Sequence, residues 1–229
     1  MRRVVLIFVV SVLLIAAAMI LVPALRDRWR PWGPGWVQGI DVSHHQGEVD
    51  WPVVAADGVH FAWIKATEGG DWVDPRFAEN WEAAGRAGVP RGAYHFFTFC
   101  KPGAVQADNF LRTVPSAEAE LPPVVDLEYG GNCARRPDTA TLGVELEQFM
   151  DTVQAATGQR PMVYVTGELI RDHIALLVGE RLWVRAIHHP LGMEAPLPAA
   201  VWQYSNIGRV DGIEGRVDRN ACRVGDCPW

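Results

Sequence analysis

The chain has 229 residues, 49% hydrophobic and 21% charged, which is enough apolar mass for a sizeable core and too much for general disorder. Its net charge of −6 comes without a basic block, so no nucleic-acid partner is expected. The length admits one large domain with an appendage, or two small domains.

Met1, Arg2 and Arg3 precede a run from 4 to 22 in which only Ser11 is polar. About 20 apolar residues span a bilayer as a helix, whereas the apolar region of a cleaved signal peptide is about 7–15 residues. Residues 1–24 therefore read as a signal anchor. A cleaved signal peptide is the alternative, with Val22-Pro23-Ala24 as its cleavage site. Either way the rest is exported, to the cell envelope or periplasm if anchored and secreted if cleaved. Contact with the membrane is expected through this segment alone. Residues 25–35 (LRDRWRPWGPG) form a linker rich in Arg, Pro and Gly, and 36–229 form the globular domain, expected to be monomeric.

Within that domain, short apolar runs rich in Val, Ile and aromatics predict strands at 37–42, 60–66, 91–97, 122–128 and 161–166. Between them, apolar residues at helical spacing predict helices at 75–88, 103–115, 138–157 and 167–178, with a shorter one at 52–57. After Val178 the rhythm changes, and strands at 182–187, 199–204 and 214–218 follow without helical patterns between them. Strand–helix alternation implies parallel pairing, and eight strands can close a barrel. The expected fold is α/β: an irregular eight-stranded β/α barrel, about five βα units and then three strands, behind an N-terminal membrane segment.

Cys100, Cys133, Cys222 and Cys227 contain no C-x-x-C pair, so zinc and thioredoxin-type chemistry are not supported. An even number behind an export segment implies two disulfides outside the cytoplasm. Cys100 follows the third predicted strand and Cys133 the fourth, while Cys222 and Cys227 are close in sequence. Pairing 100–133 and 222–227 is expected among the three possible connectivities.

Barrel chemistry gathers at the C-terminal strand ends, and the acids sit there. Asp41 lies in Gly39-Ile40-Asp41-Val42-Ser43, Asp126 and Glu128 end Pro122-Pro123-Val124-Val125-Asp126-Leu127-Glu128, and Asp218 ends the last run. Alternation puts Asp126 and Glu128 on one side, about 6–7 Å apart along the strand. Neighbouring carboxylates raise one pKa, and a raised carboxyl donates a proton near neutral pH. Glycoside hydrolysis needs such an acid together with a carboxylate for the cationic transition state.

The chain resembles glycoside hydrolase family 25, the Chalaropsis-type lysozymes, over roughly 36–220. The resemblance lies in Gly39-Ile40-Asp41-Val42-Ser43 with Gln46-Gly47 and Asp50-Trp51, in 61–69 (FAWIKATEG), 91–96 (RGAYHF) and 122–128 (PPVVDLE), and in Trp202-Gln203-Tyr204-Ser205 and Val217-Asp218-Arg219-Asn220. It implies a muramidase cutting the β-1,4 bond between N-acetylmuramic acid and N-acetylglucosamine in bacterial peptidoglycan, with retention. It implies Glu128 as proton donor, Asp126 as the acid beside it, and Asp41 and Asp218 as two further cleft acids. The run Trp183-Val184-Arg185-Ala186-Ile187 departs from the family pattern, with Arg185 in place of a small residue.

Trp183 and Trp202 are candidates to stack on sugar rings, and Tyr94 and Tyr204 to offer hydroxyls. Arg185 shares a face with Trp183 and Ile187. If that face is the barrel interior, Arg185 either pairs with an acid such as Asp218 or binds a substrate carboxylate; if it faces outward, it is solvated. His44-His45 and His188-His189 fit no metal motif, so neither metal nor cofactor is expected. The alternatives to a muramidase are a non-catalytic peptidoglycan-binding module on the same barrel and a chitinase-like hydrolase.

Overall fold

The computed structural model describes residue 31 and residues 33–229. The membrane segment expected at 1–24 and most of the linker lie outside the described residues. Among the described residues, no helix is long and apolar enough to cross a membrane.

Eight strands close a barrel: β1 (Trp36–Val42), β2 (Phe61–Glu68), β4 (Arg91–Phe96), β5 (Val124–Leu127), β6 (Met162–Thr166), β7 (Leu182–Arg185), β8 (Ala199–Gly208) and β9 (Val217–Arg223). β1 pairs with β2 on one side and β9 on the other, which completes the ring. A two-residue strand that the sequence pattern did not predict, β3 (Trp72–Val73), is hooked antiparallel onto β2. The helices are α1 (Trp51–Ala56), α2 (Phe77–Arg86), α3 (Gly103–Thr113), α4 (Thr139–Thr157), α5 (Gly167–His173) and a short α6 (Leu191–Glu194), also not predicted. The helix expected at 167–178 tightens into a 3-10 turn at Ile174–Leu176.

The last strand differs from expectation. It begins rather than ends near Asp218, and it runs antiparallel to β1 and β8. A parallel return needs a crossover of about a dozen residues or more, and only 209–216 separate β8 from β9. Because β9 runs backwards, its start lies at the same rim as the C-terminal ends of the other strands, and Asp218 still reaches that rim.

Period-2 alternation sorts the strands into two cores. Outward residues such as Ile40, Val42, Ile64, Leu127, Val165 and Val184 meet the helices. There α4 presents Leu142, Leu146, Phe149, Met150 and Val153 as a buried stripe. The Asp138 side chain caps its start by accepting from the Thr141 amide, and Gly158, with φ of 75°, ends it in the left-handed region that glycine enters without penalty. Inward residues Phe61, Trp63, Val124, Met162, Tyr164, Trp183 and Val201 fill the barrel. Gly39 makes this filling possible, because a Cβ there would overlap the Phe61 ring.

Cys100 pairs with Cys133 and Cys222 with Cys227. The first bond ties the loop after β4 to the loop after β5. The second folds the C-terminal residues back, and Trp229 packs on Phe61 at a centroid distance of 5.0 Å, closing the barrel floor.

Candidate active site

The four acids come from three strands, at the ends of β1 and β5 and the start of β9. Asp41, Asp126, Glu128 and Asp218 line one cavity of about 360 Å³ with Tyr94, Phe96, Lys65, Glu68 and His45. Asp41 and Asp218 are direct cross-strand partners. Asp126 is the inward residue of β5, between outward Val125 and Leu127, and Glu128 follows just past the strand end. A second cavity of about 300 Å³ lies beyond Glu128, lined by Tyr129, Thr166, Glu168, Arg171, Arg185 and His188 among others. Glu128 and Gly130 line both cavities, so Glu128 stands where the two adjoin.

Burial sets the protonation of the acids. It raises all four, because a carboxylate loses hydration that the barrel does not replace in full. Asp41 is pushed up to about 6, against the pull of hydrogen bonds from Asn220 and Gln203 and the field of Arg185. Asp218 is pushed up to about 8 by burial and by the charge of Asp41. Asp126 is raised well above the usual carboxylate range by burial and by Glu128. Burial also raises Glu128, while Arg185 and Lys65 hold it down and Asp41 adds to the rise. Lys65 forms an ion pair of 2.7 Å with Glu68, and its ammonium lies 4.9 Å and 4.8 Å from the ring centres of Trp72 and Phe96.

Asp41 is held by a relay of neutral groups. The side-chain amides of Asn220 and Gln203 donate to Asp41 Oδ2 at 2.7 Å and 3.0 Å. The Trp183 indole N–H donates to Asn220 Oδ1 at 2.9 Å, and the Tyr164 hydroxyl donates to Gln203 Oε1 at 3.0 Å. Asp126 Oδ1 is buried with no hydrogen-bond partner among the described residues.

The structure places the substrate-binding candidates unevenly. Tyr94 lines the acid cavity, and Arg185 lines the second one. Trp183, in contrast, is 2% exposed and stacks on Trp63 at 4.9 Å inside the barrel; it faces inward but lies one layer below the rim, beneath Arg185. Trp202 and Tyr204 point outward, where the Trp202 N–H donates to the Ala186 carbonyl and the Tyr204 hydroxyl to Gln38 Oε1. Alternation on β8 turns Gln203 inward instead. Gln203, Asn220, Lys65 and Glu68 are site residues that the sequence reading missed. The signal for three of them was the same alternation, counted from Asp218 for Asn220, from Trp202 and Tyr204 for Gln203, and from Trp63 for Lys65; Glu68 lies past a break in alternation on β2. His95 is a core histidine bonded to Thr67 and Gln106 and lies outside the acid cavity.

Comparison with known proteins agrees with this arrangement. The profile described as "Glycosyl hydrolases family 25" matches residues 40–213. The uncharacterized protein YegX of Escherichia coli (strain K12) is 36% identical over 190 residues, covering 80% of this chain and 68% of its own length. Lysozyme M1 of Streptomyces globisporus is 35% identical over 200 residues, covering 80% and 67%. The crystal structure of a bacterial lysozyme from Streptomyces coelicolor superposes with a TM-score of 0.72 at 33% identity, covering 83% of this chain and 92% of that one. With the family profile spanning the barrel from β1 to the turn before β9, the chain belongs to the glycosyl hydrolases of family 25 and is a glycoside hydrolase.

Proposed function

We propose that this enzyme is a peptidoglycan muramidase that hydrolyses the β-1,4 bond between N-acetylmuramic acid and N-acetylglucosamine, with Glu128 as the proton donor. The observation that carries the assignment is the position of Glu128 at the junction of the two cavities. A glycan threaded through both puts a glycosidic oxygen over that carboxyl. Burial raises its pKa, the direction that a proton donor working near neutral pH requires. Asp126 is more buried, and its Oδ1, without a hydrogen-bond partner among the described residues, is available to accept from a sugar hydroxyl or amide. Asp41, with two amide donors on a single oxygen, is the acid best fitted to carry negative charge beside a cationic sugar. Net retention of configuration belongs to the same reading and rests on the family resemblance.

A pure binding module has no use for four mutually repelling carboxyls, two buried and two half-buried, whose desolvation costs stability. The names of relatives, among them the N,O-diacetylmuramidase of Chalaropsis sp. at 33% identity over 140 residues, support the substrate. Glu128→Gln keeps the shape of the side chain and removes its proton. Hydrolysis of purified cell walls is expected to fall about 10²–10⁴-fold with circular dichroism unchanged; wild-type clearing by Glu128→Gln would overturn the assignment. Two disulfides support export, and we place the domain outside the cytoplasm, held by residues 1–24. Sequencing of the native N-terminus is expected to begin in the first residues, and a start near 25 would replace the anchor with a secreted enzyme.

A further inference from the structure

The second cavity has a chemistry of its own. Arg185 is the inward residue at the end of β7, directly above Trp183. Arg171, on α5, joins it in the lining. Several other arginines are engaged: Arg91 with Glu120, Arg76 with Glu79, and Arg160 with Glu147 and Glu180. Among the described residues, neither the Arg185 nor the Arg171 guanidinium makes a hydrogen bond or ion pair. Glu168 and Glu194 share the cavity, yet neither occupies a guanidinium. Glu194 packs instead against Gly167, where its carboxylate fills the space a Cβ would take. A guanidinium presents a planar fork of donors that matches a carboxylate. Here one such fork is left open in the cavity that the proton donor Glu128 also lines.

We propose that the cavity beyond Glu128 is a carboxylate-recognition subsite, in which Arg185 binds a free carboxylate carried by the muramic acid residue and Arg171 adds attraction from the outer wall. This rests on the muramidase reading and narrows it to a substrate form. Two sources present the required group: the 3-O-lactyl carboxylate of peptide-free glycan, and the carboxylates of a stem peptide where the lactyl group is amide-linked.

The test uses three oligosaccharides of alternating N-acetylmuramic acid and N-acetylglucosamine: one with free lactyl carboxylates, one with these converted to primary amides, and one carrying stem peptides. The wild-type enzyme, Arg185→Ala, Arg185→Lys and Arg171→Ala are compared at their own pH optima, because Arg185 also holds Asp41, Glu128 and Asp218 down. The wild type is expected to favour a carboxylate substrate over the amide about tenfold or more in KM, the scale of a charge-assisted pair against a neutral one. Arg185→Ala is expected to abolish that preference, Arg185→Lys to keep part of it, and Arg171→Ala to halve it or more with folding intact. A preference confined to the free lactyl oligomer identifies that group as the ligand; one confined to the peptide-bearing oligomer identifies the stem peptide. A wild type that does not discriminate, or an Arg185→Ala variant that discriminates as well as wild type, would overturn the subsite while leaving the muramidase reading intact. A wild-type enzyme inert on all three would sink the muramidase reading and the subsite with it.

Discussion

Replacing Asp218 with Asn is expected to make the protein more stable and less active. Asp218 faces Asp41 across the β1–β9 ladder, and burial with the charge of Asp41 pushes it from 3.8 to about 8. In the unfolded chain it titrates near 3.8. Between these values the folded state keeps a proton that the unfolded state has released, so folding stability falls as pH rises through the window. The cost is absent below 3.8 and complete above about 8. At about 1.4 kcal/mol per pH unit, the ceiling at pH 7 is about 4 kcal/mol, and solvent access at the cleft reduces this to about 1–2 kcal/mol. The two acids titrate as a pair, so the values belong to both. The asparagine side chain would carry no charge, yet its amide still donates to Asp41 as the protonated acid does. Calorimetry of wild type and Asp218→Asn at pH 4, 5.5 and 7 is expected to show equal Tm at the lowest pH and a gap widening to about 2–8 °C at pH 7. Cell-wall clearing should fall at least about tenfold. A gap that stays constant with pH, or a variant less stable than wild type at pH 7, would refute the claim that the acid pair strains the fold.

Asn220→Ala removes the shorter hydrogen bond to Asp41 and leaves the Trp183 N–H without its acceptor. Urea unfolding should show a loss of about 3 kcal/mol, and the limb of the pH–rate profile governed by Asp41 should move upward; an unchanged midpoint and profile would count against the relay. Gly39→Ala puts a methyl group into the Phe61 ring and should cost about 1–3 kcal/mol. Adding Phe61→Leu should recover part of that in the double variant, and full additivity of the two costs would show that the contact is not the cause.

Much of the site was legible because it depends on one rule, the period of a strand. Asp41, Asp126 and Asp218 lie inward at the rim, as alternation and a barrel fold require. The misreadings come from what that rule leaves out. Alternation gives the face of a side chain but not its height, so Trp183 reads as a sugar platform although Arg185 sits above it. On β8 the aromatic flanks Trp202 and Tyr204 draw attention, yet alternation turns the polar residue between them, Gln203, into the barrel. The direction of β9 is not written in its hydrophobic pattern, which reads alike both ways; it was available only from the short connection before it. Alternation itself breaks on β2, where a register shift between Lys65 and Thr67 leaves Lys65 inward and turns Thr67 out to His95.

The misplaced tryptophan still bears on the chemistry, by a route other than contact with sugar. An indole N–H only donates, so the bond from Trp183 fixes which end of the Asn220 amide is oxygen and turns its NH₂ toward Asp41. Tyr164 orients Gln203 in the same sense. Two donors are thereby committed to one oxygen of Asp41, and they oppose the burial that would otherwise keep it neutral. Trp63 and Trp183 form the dry layer beneath the acids, and dry surroundings raise carboxyl pKa values. The aromatic filling of the barrel therefore does two things at once. It walls off the acid set from below, and through two aromatic donors it favours the charged form of a single member. The difference between Asp41 and its neighbours is built in buried residues beneath the cleft, Trp183 with Asn220 and Tyr164 with Gln203.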